Sequence, residues 1–282
     1  MHRWRFIHTG NLSPAENMAI DEAILTAHSE GNVPPTVRFY GWNPPSLSVG
    51  YFQKASEEVD FEALDRLGIG YVRRATGGRA VLHDRELTYS LIVSEDYPGL
   101  PKSVTEAYRV LSVGLLYGFQ NLGLDAEMVT LASEEEKRKY ASPEGSSSAC
   151  FDSPSWYELV VEGRKIAGSA QTRARGVVLQ HGSILLDLDA DLLFDLLRFP
   201  SERIKTRMKE SFLRKAVAIN ELLEAKNLPA VDLPRVEAAF FEGLARGLEA
   251  ELVPGELTPY ERELADRLVR EKYGNEEWNH RR

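Results

Sequence analysis

The chain contains one cysteine, Cys150, and a lysine fifteen positions later, Lys165, at a separation compatible with contact. A thiol attacks as its thiolate, and a neighbouring ammonium favours that form by stabilising the negative charge, so a lysine can activate a cysteine without a histidine. Each residue also has an ordinary reading. An isolated cysteine is usually a small buried apolar residue, and a lysine following Glu162-Gly163-Arg164 is usually a solvated turn residue. The neighbours favour reactivity. Ser146-Ser147-Ser148-Ala149 before Cys150 and Asp152-Ser153-Pro154 after it describe a polar loop, where an exposed thiol is more plausible than a packed one.

A second constellation runs from Arg73-Arg74-Ala75-Thr76-Gly77-Gly78-Arg79 to His83-Asp84. Paired glycines let the backbone approach a ligand closely, and three arginines surround the turn with positive charge, which suits an acyl-phosphate, phosphopantetheine or nucleotide. Taken alone, a glycine turn between strands is mostly structural. His83 and His181 are candidate general bases ranked below Lys165, since lone histidines often serve as hydrogen-bonding scaffold. No metal motif appears, nor does a phosphate loop ending in Gly-Lys-Ser/Thr, so neither a metal nor a resident cofactor is expected.

These residues need elements to position them. Ser13-Pro14-Ala15-Glu16 reads as a capping box opening a helix. Leu47, Val49 and Tyr51 alternate as an extended segment, a helix from about Glu58 can close at Gly68, and Tyr71-Val72 begin a strand. Leu87, Tyr89, Leu91 and Val93 predict a strand with one buried face. Ser103 to Glu106 reads as a second capping box for a helix ending near Gly123. The stretch Ala132 to Ala149 reads as a loop delivering Cys150. Tyr157, Leu159 and Val161 form a strand, Glu162-Gly163-Arg164 turn it, and Lys165 to Ala170 return. A further strand pair is expected to flank His181-Gly182. From Asp189 the pattern is chiefly helical, with a last helix at Thr258-Pro259-Tyr260-Glu261. The expected fold is α/β of the α+β type: a mixed β-sheet flanked by helices, with a catalytic domain over residues 1–230 and a C-terminal helical appendage over 231–282.

The 282 residues can bury such a core, and 43% apolar with 27% charged residues is an ordinary balance for a globular chain. A net charge of -9 argues against wholesale nucleic-acid binding. No apolar run approaches the roughly 20 residues of a membrane span. The N-terminus lacks a secretory signal pattern and the single cysteine fits a reducing compartment, so a cytoplasmic monomer is expected, without membrane or nucleic-acid partners. The basic run from Arg203 to Lys215 is a candidate docking surface for an acidic partner, or simply a solvated helix face.

Taken together, Asn17 to Ala23, Arg73 to Asp84, Gly163 to Gln171 and His181-Gly182-Ser183 resemble the lipoate-protein ligase and biotin-protein ligase superfamily, in particular its cysteine-dependent octanoyltransferase branch. The resemblance covers roughly Met1 to Ala230. It implies that the glycine turn and the lysine-bearing strand enclose an acyl chain and its activated head group. Cys150 would then be the acyl-thioester nucleophile and Lys165 its partner, with Arg73, Thr76, Gly77, Gly78, Arg79, His83, Gly168 and Ser169 at the substrate. The implied donor is octanoyl-acyl carrier protein, and the implied acceptor is a lysine of a lipoyl-accepting protein such as the glycine-cleavage H protein. Related ligases that use ATP typically carry a third glycine where this chain has Arg79. The alternatives are an octanoyl amidotransferase between lipoyl-accepting proteins, an ATP-dependent lipoate-protein ligase, and a non-catalytic acyl-carrier-binding protein.

Overall fold

The computed structural model describes residues 2–130 and 157–281. The predicted loop from Ala132 to Ala149 and Cys150 itself lie outside the described residues.

The opening strand β1 (His2–Leu12) leads into α1 (Pro14–Ser29), capped as its sequence predicts: Ser13 Oγ accepts from the Glu16 backbone N–H at 3.3 Å and the Glu16 carboxylate accepts from Ser13 N–H at 2.9 Å. With β2 (Thr36–Trp42), β6 (Glu86–Ser94), β10 (Ala167–Ala174), β11 (Val177–Leu185) and β12 (Ala250–Pro254), β1 builds a six-stranded mixed sheet ordered β10-β11-β6-β2-β1-β12. The β10-β11-β6-β2 run is antiparallel, and β1 lies parallel to both β2 and β12.

Strand β6 was expected to bury one face, and it buries both. Leu87, Tyr89, Leu91 and Val93 face a core shared with α4 (Val104–Asn121), while Ile92 joins the core under α1 and Ser90 donates to Asp21 of that helix. The alternation therefore sorts residues between two helical layers rather than between core and water. Helix α4 starts without the expected capping box: Ser103 makes no side-chain cap, and Glu106 instead accepts from Arg109 and the Tyr157 hydroxyl. His181-Gly182, expected between two strands, lies inside β11. The turn sits at Arg175-Gly176, both with positive φ.

A smaller sheet carries the site. Strand β3 (Ser46–Val49) runs parallel to β4 (Gly70–Arg73) and antiparallel to β5 (Val81–His83). Two short helices, α2 (Ala55–Glu58) and α3 (Phe61–Leu67), join β3 to β4, and Gly68 closes α3 at φ 68° as predicted. A third sheet holds β7 (Ala126–Thr130), β8 (Tyr157–Val161) and β9 (Arg164–Lys165). The chain then continues through α5 (Ala190–Asp195), α6 (Glu202–Lys215) and α7 (Ile219–Ala225), with Leu193, Phe194 and Phe212 packed beneath β3.

The segment after Ala230 is more than a helical appendage. Helix α8 (Leu233–Gly247) lies so close to α4 that a Cβ on Gly243 would come within 2.4 Å of Gly118 N. Strand β12 then pairs with β1 from His2↔Ala250 to Phe6↔Pro254, satisfying an edge that would otherwise expose unpaired backbone. The predicted last helix, α9 (Pro259–Leu268), opens with a Thr258–Glu261 capping box, packs on α1 and is tied to β1 by the buried Arg5–Glu261 ion pair. A π-helical turn (Val269–Tyr273) and α10 (Glu276–Asn279) bring the chain back to β4.

Candidate active site

The chain leaves β4 at Arg73 and Arg74, two adjacent arginines with different tasks. Arg73 points into the protein, where its Nη1 donates to the carbonyls of Gly50, Tyr51 and Gln53 at 2.9, 3.2 and 2.9 Å. Its backbone is clasped by the C-terminus: Asn279 Oδ1 accepts from Arg73 N–H, and Trp278 Nε1 donates to Arg73 O, both at 2.9 Å. Arg74 folds into the turn that follows. Its Nη1 donates to Ser48 O and Oγ at 3.0 and 2.6 Å, and its Nη2 donates to Gly77 O and Arg79 O at 3.1 and 2.9 Å. One guanidinium thus cross-links both arms of the turn to β3. The half-buried Arg79 takes part through its carbonyl.

The glycines are required by close approach and by backbone angle. Gly78 has φ 95°. A Cβ on Gly50 would sit 2.1 Å from Gly78 O, so the turn rests directly on the end of β3. Thr76 O accepts from Tyr51 N–H at 2.9 Å, and Thr76 Oγ1 lies 2.7 Å from His181 Nε2.

Between this turn and the β10-β11 hairpin is a small, mostly apolar pocket. Met18, Tyr40, Trp42 and Val81 supply apolar walls, and Gly78, Gly168 and Gly182 keep it open. Gly182 is fixed by register: it pairs with Ser169, and a Cβ there would meet Gly168 O at 2.4 Å. Ser169 Oγ lies 2.7 Å from Tyr89 OH, whose ionisation burial pushes far above the ordinary phenol range. His83 lines the pocket with its ring stacked on Trp42, centroids 4.0 Å apart.

Lys165 enters from the third sheet. Glu162 and Gly163, with φ of 53° and 75°, form the predicted tight turn between β8 and β9. Lys165 pairs with Val160, which puts Glu158 diagonally across the hairpin on the same face. Its Nζ lies 3.1 and 2.9 Å from the two Glu158 carboxylate oxygens, with the side chains 12% and 9% exposed, and its carbonyl accepts from Val217 N–H at 3.0 Å. Three residues further on, Gly168 is at the pocket wall.

Behind the pocket, Asp21 sits on the sheet-facing side of α1. Its Oδ1 accepts from Arg38 and Ser90, each at 2.8 Å, and its Oδ2 from Tyr40 OH at 3.1 Å and His181 Nδ1 at 3.3 Å. Burial alone would raise its pKa, but Arg38 and His181 outweigh that and hold the carboxyl below its usual range.

A family model described as the lipoyl protein ligase A/B catalytic domain matches residues 13–245. The chain belongs to that family. Within the lipoyl protein ligase family it is 65% identical to the octanoyltransferase LipM of Brevibacillus brevis, over the full length of both chains. It is 58% identical to LipM of Bacillus subtilis over 99% of this chain and 98% of the relative. Octanoyl transfer in protein lipoylation is its activity. Among solved structures, a bipartite lipoate protein ligase of Thermoplasma acidophilum, studied with its E2 lipoyl domain, superposes with TM-score 0.80 at 26% identity, covering 99% of this chain and 97% of that one. A lipoate-protein ligase A bound with ATP gives 0.74 at 26% identity, covering 99% and 98%. The mixed, helix-flanked sheet is thus the lipoyl ligase fold, as expected.

Of the residues singled out from sequence, Gly78, His83, Gly168 and Ser169 line one pocket, with Thr76 and Gly77 in the turn beside it. Arg73 stands behind the turn. Met18, Trp42, Ser48 and Gly50 were not singled out. Asn17 and Asp21, four apart on one helical face and both polar, were the available signal for the buried network.

Proposed function

We propose that this octanoyltransferase takes its acyl group from octanoyl-acyl carrier protein onto Cys150 and passes it to a lysine of a lipoyl-accepting protein such as the glycine-cleavage H protein. The observation that carries this reading is the apolar pocket walled by the glycine turn and the β10-β11 hairpin, with Lys165 a short strand away. Each methylene buried there contributes about 0.8 kcal/mol, enough for chain selection without a cofactor.

In the first step the Cys150 thiolate attacks the thioester carbonyl, the carbon–sulfur bond to the carrier breaks, and the carrier leaves as a thiolate that takes a proton from the Lys165 ammonium. In the second the acceptor amine attacks the acyl-cysteine, Lys165 as the free amine takes the proton released, and the Cys150 thiolate is restored beside an ammonium. Backbone N–H groups at the turn are suited to the oxyanion that develops in each step. Between Cys150 and Tyr157 the chain can span at most about 25 Å, which leaves the thiol free to reach β9.

For the carrier, the basic helix α6 is a reduced candidate, because Asp195 and Asp191 of α5 pair with Lys205 and Lys209. Charge reversal at Lys205 and Arg207 should weaken use of the carrier-bound donor and spare a small acyl thioester; equal losses with both would remove α6 from the docking surface.

The test is incubation with octanoyl-carrier protein without ATP, followed by intact mass and peptide mapping. The expected product is a hydroxylamine-sensitive octanoyl adduct at Cys150 that a lipoyl-accepting protein removes. Adduct formation only from an octanoylated lipoyl protein would make the chain an amidotransferase. Modification of the acceptor that requires ATP and survives Cys150→Ala would make it a ligase, and carrier binding without an adduct would leave a binding protein.

A further inference from the structure

The two histidines beside the turn have the neighbours of acid–base catalysts. His83 stands between Ser48 and Glu86, with Ser48 Oγ 2.6 Å from Nε2 and Glu86 Oε1 2.6 Å from Nδ1. His181 stands between Thr76, 2.7 Å from Nε2, and Asp21, 3.3 Å from Nδ1. A hydroxyl, an imidazole and a carboxylate in line is the arrangement of a nucleophile with its base. The remaining bonds contradict that use. Ser48 is buried, does not line the pocket, and accepts from Arg74 Nη1 at 2.6 Å, which draws electron density away from the oxygen that would attack. A general base must offer a ring nitrogen to a substrate proton. Here both nitrogens of both rings are engaged within the protein, and the side chains are 5% and 6% exposed.

The direction of each bond follows from the donors. The Glu86 carboxylate can only accept, so His83 Nδ1–H donates to it; Arg74 can only donate to Ser48 Oγ, and the Ser48 O–H donates in turn to His83 Nε2. The second Glu86 oxygen accepts from Ser183. Asp21, anchored by Arg38, accepts from His181 Nδ1–H, so Nε2 accepts from the Thr76 hydroxyl. Desolvation also favours the uncharged ring at His181. Both chains end on the same six residues: one holds Arg74, which grips Gly77 O and Arg79 O, and the other holds Thr76.

We propose that His83 and His181 are positioning residues, each an imidazole bridging a buried carboxylate to a hydroxyl, and that together they clamp the Arg74–Arg79 turn from two sides. The clamp rests on the reading that acyl transfer takes place at this turn. It leaves Lys165 as the proton-handling group and makes the turn a wall whose backbone donors are fixed before the thioester arrives.

The experiment has two arms. Nitrogen-15 NMR of the histidine rings in the whole protein should show both rings carrying a proton on Nδ1, with His181 a neutral tautomer throughout the pH range of activity; a His181 ring that titrates within that range, or either ring with its only proton on Nε2, overturns the clamp. In single-turnover acylation, Thr76→Val and His181→Gln should each lower the rate about ten- to a hundredfold, the scale of one buried hydrogen bond. The double variant should be no slower than the slower single, Thr76→Ser should recover most of what Thr76→Val loses, and both limbs of the pH profile should persist. Losses that multiply in the double variant, or loss of one pH limb in His181→Gln alone, contradict it. Should the wild-type chain form no acyl adduct, the proposed reaction fails while the NMR arm still decides the clamp.

Discussion

Around the glycine turn, buried charges are tied down in several directions at once: Arg73 to three carbonyls and the C-terminal clasp, Arg74 to both arms of the turn, Asp21 to Arg38, Ser90, Tyr40 and His181. Lys165 is supported differently. It stands on a two-residue strand, at the end of a tight hairpin, and reaches diagonally to Glu158 while keeping some exposure. The contrast separates two requirements of acyl transfer. In the proposed reaction, a wall meeting the acyl chain and the oxyanion gains from being preorganised, since donors fixed in advance cost no reorganisation at the moment of reaction. In that same proposed reaction, the Lys165 cation would meet an incoming thiol and then an incoming amine, which calls for a defined place and continued access.

Four changes probe that contrast. Lys165→Ala should have the largest effect, slowing single-turnover octanoyl transfer about 10³-fold, within the range of lost acid–base catalysis, while shifting the melting temperature less than any change at the turn. Comparable damage to stability and rate would mean that Lys165 is as structural as the turn. Gly50→Ala should cost about 1–3 kcal/mol of stability in urea unfolding as well as activity, because the new Cβ meets the Gly78 carbonyl at 2.1 Å; wild-type stability and rate together would show that the wall is not fixed. Asn279→Ala should remove about 1–2 kcal/mol and speed amide exchange in residues 70–78, since it unties the clasp on Arg73. Exchange accelerated only near residues 276–281 would uncouple the C-terminus from the site.

The smallest effect is that of acid. His181 and Asp21 both have lowered native pKa values, so the unfolded chain binds more protons than the folded one as pH falls. The stability they contribute is fully present above their unfolded values. It should therefore begin to decline below about pH 6.5 through His181 and decline further below about pH 4 through Asp21. Equilibrium unfolding of the wild-type and His181→Gln proteins from pH 8 to 4 checks this, and a wild-type curve that is flat between pH 7 and 5 would contradict it.

Local rules made much of the fold legible. The capping box at Ser13, the helix start at Thr258, the αL closure at Gly68 and the Glu162-Gly163 turn depend on neighbours in sequence and form as read, whereas the box expected at Ser103 does not. The double burial of β6, the place of His181 within β11 and the recruitment of β12 to the main sheet depend on which elements pack together, which alternation along a single strand does not report. The same limit applied at the site. Arginines and glycines marked the turn, but that Arg73 would point away while Arg74 stapled the turn required β3 and the C-terminal clasp to be in place. Gly50 looked like an ordinary strand residue until the turn was found lying on it.

The measurement that bears most directly on the account is the pH dependence of Cys150 alkylation by iodoacetamide in the wild-type protein and in Lys165→Ala. An ammonium beside the thiol predicts a wild-type profile with its midpoint below the free-thiol value of about 8.5, and a rise of about a unit or more on removing Lys165. Superimposable profiles would contradict it, because the lysine would then do nothing to ionise the sulfur.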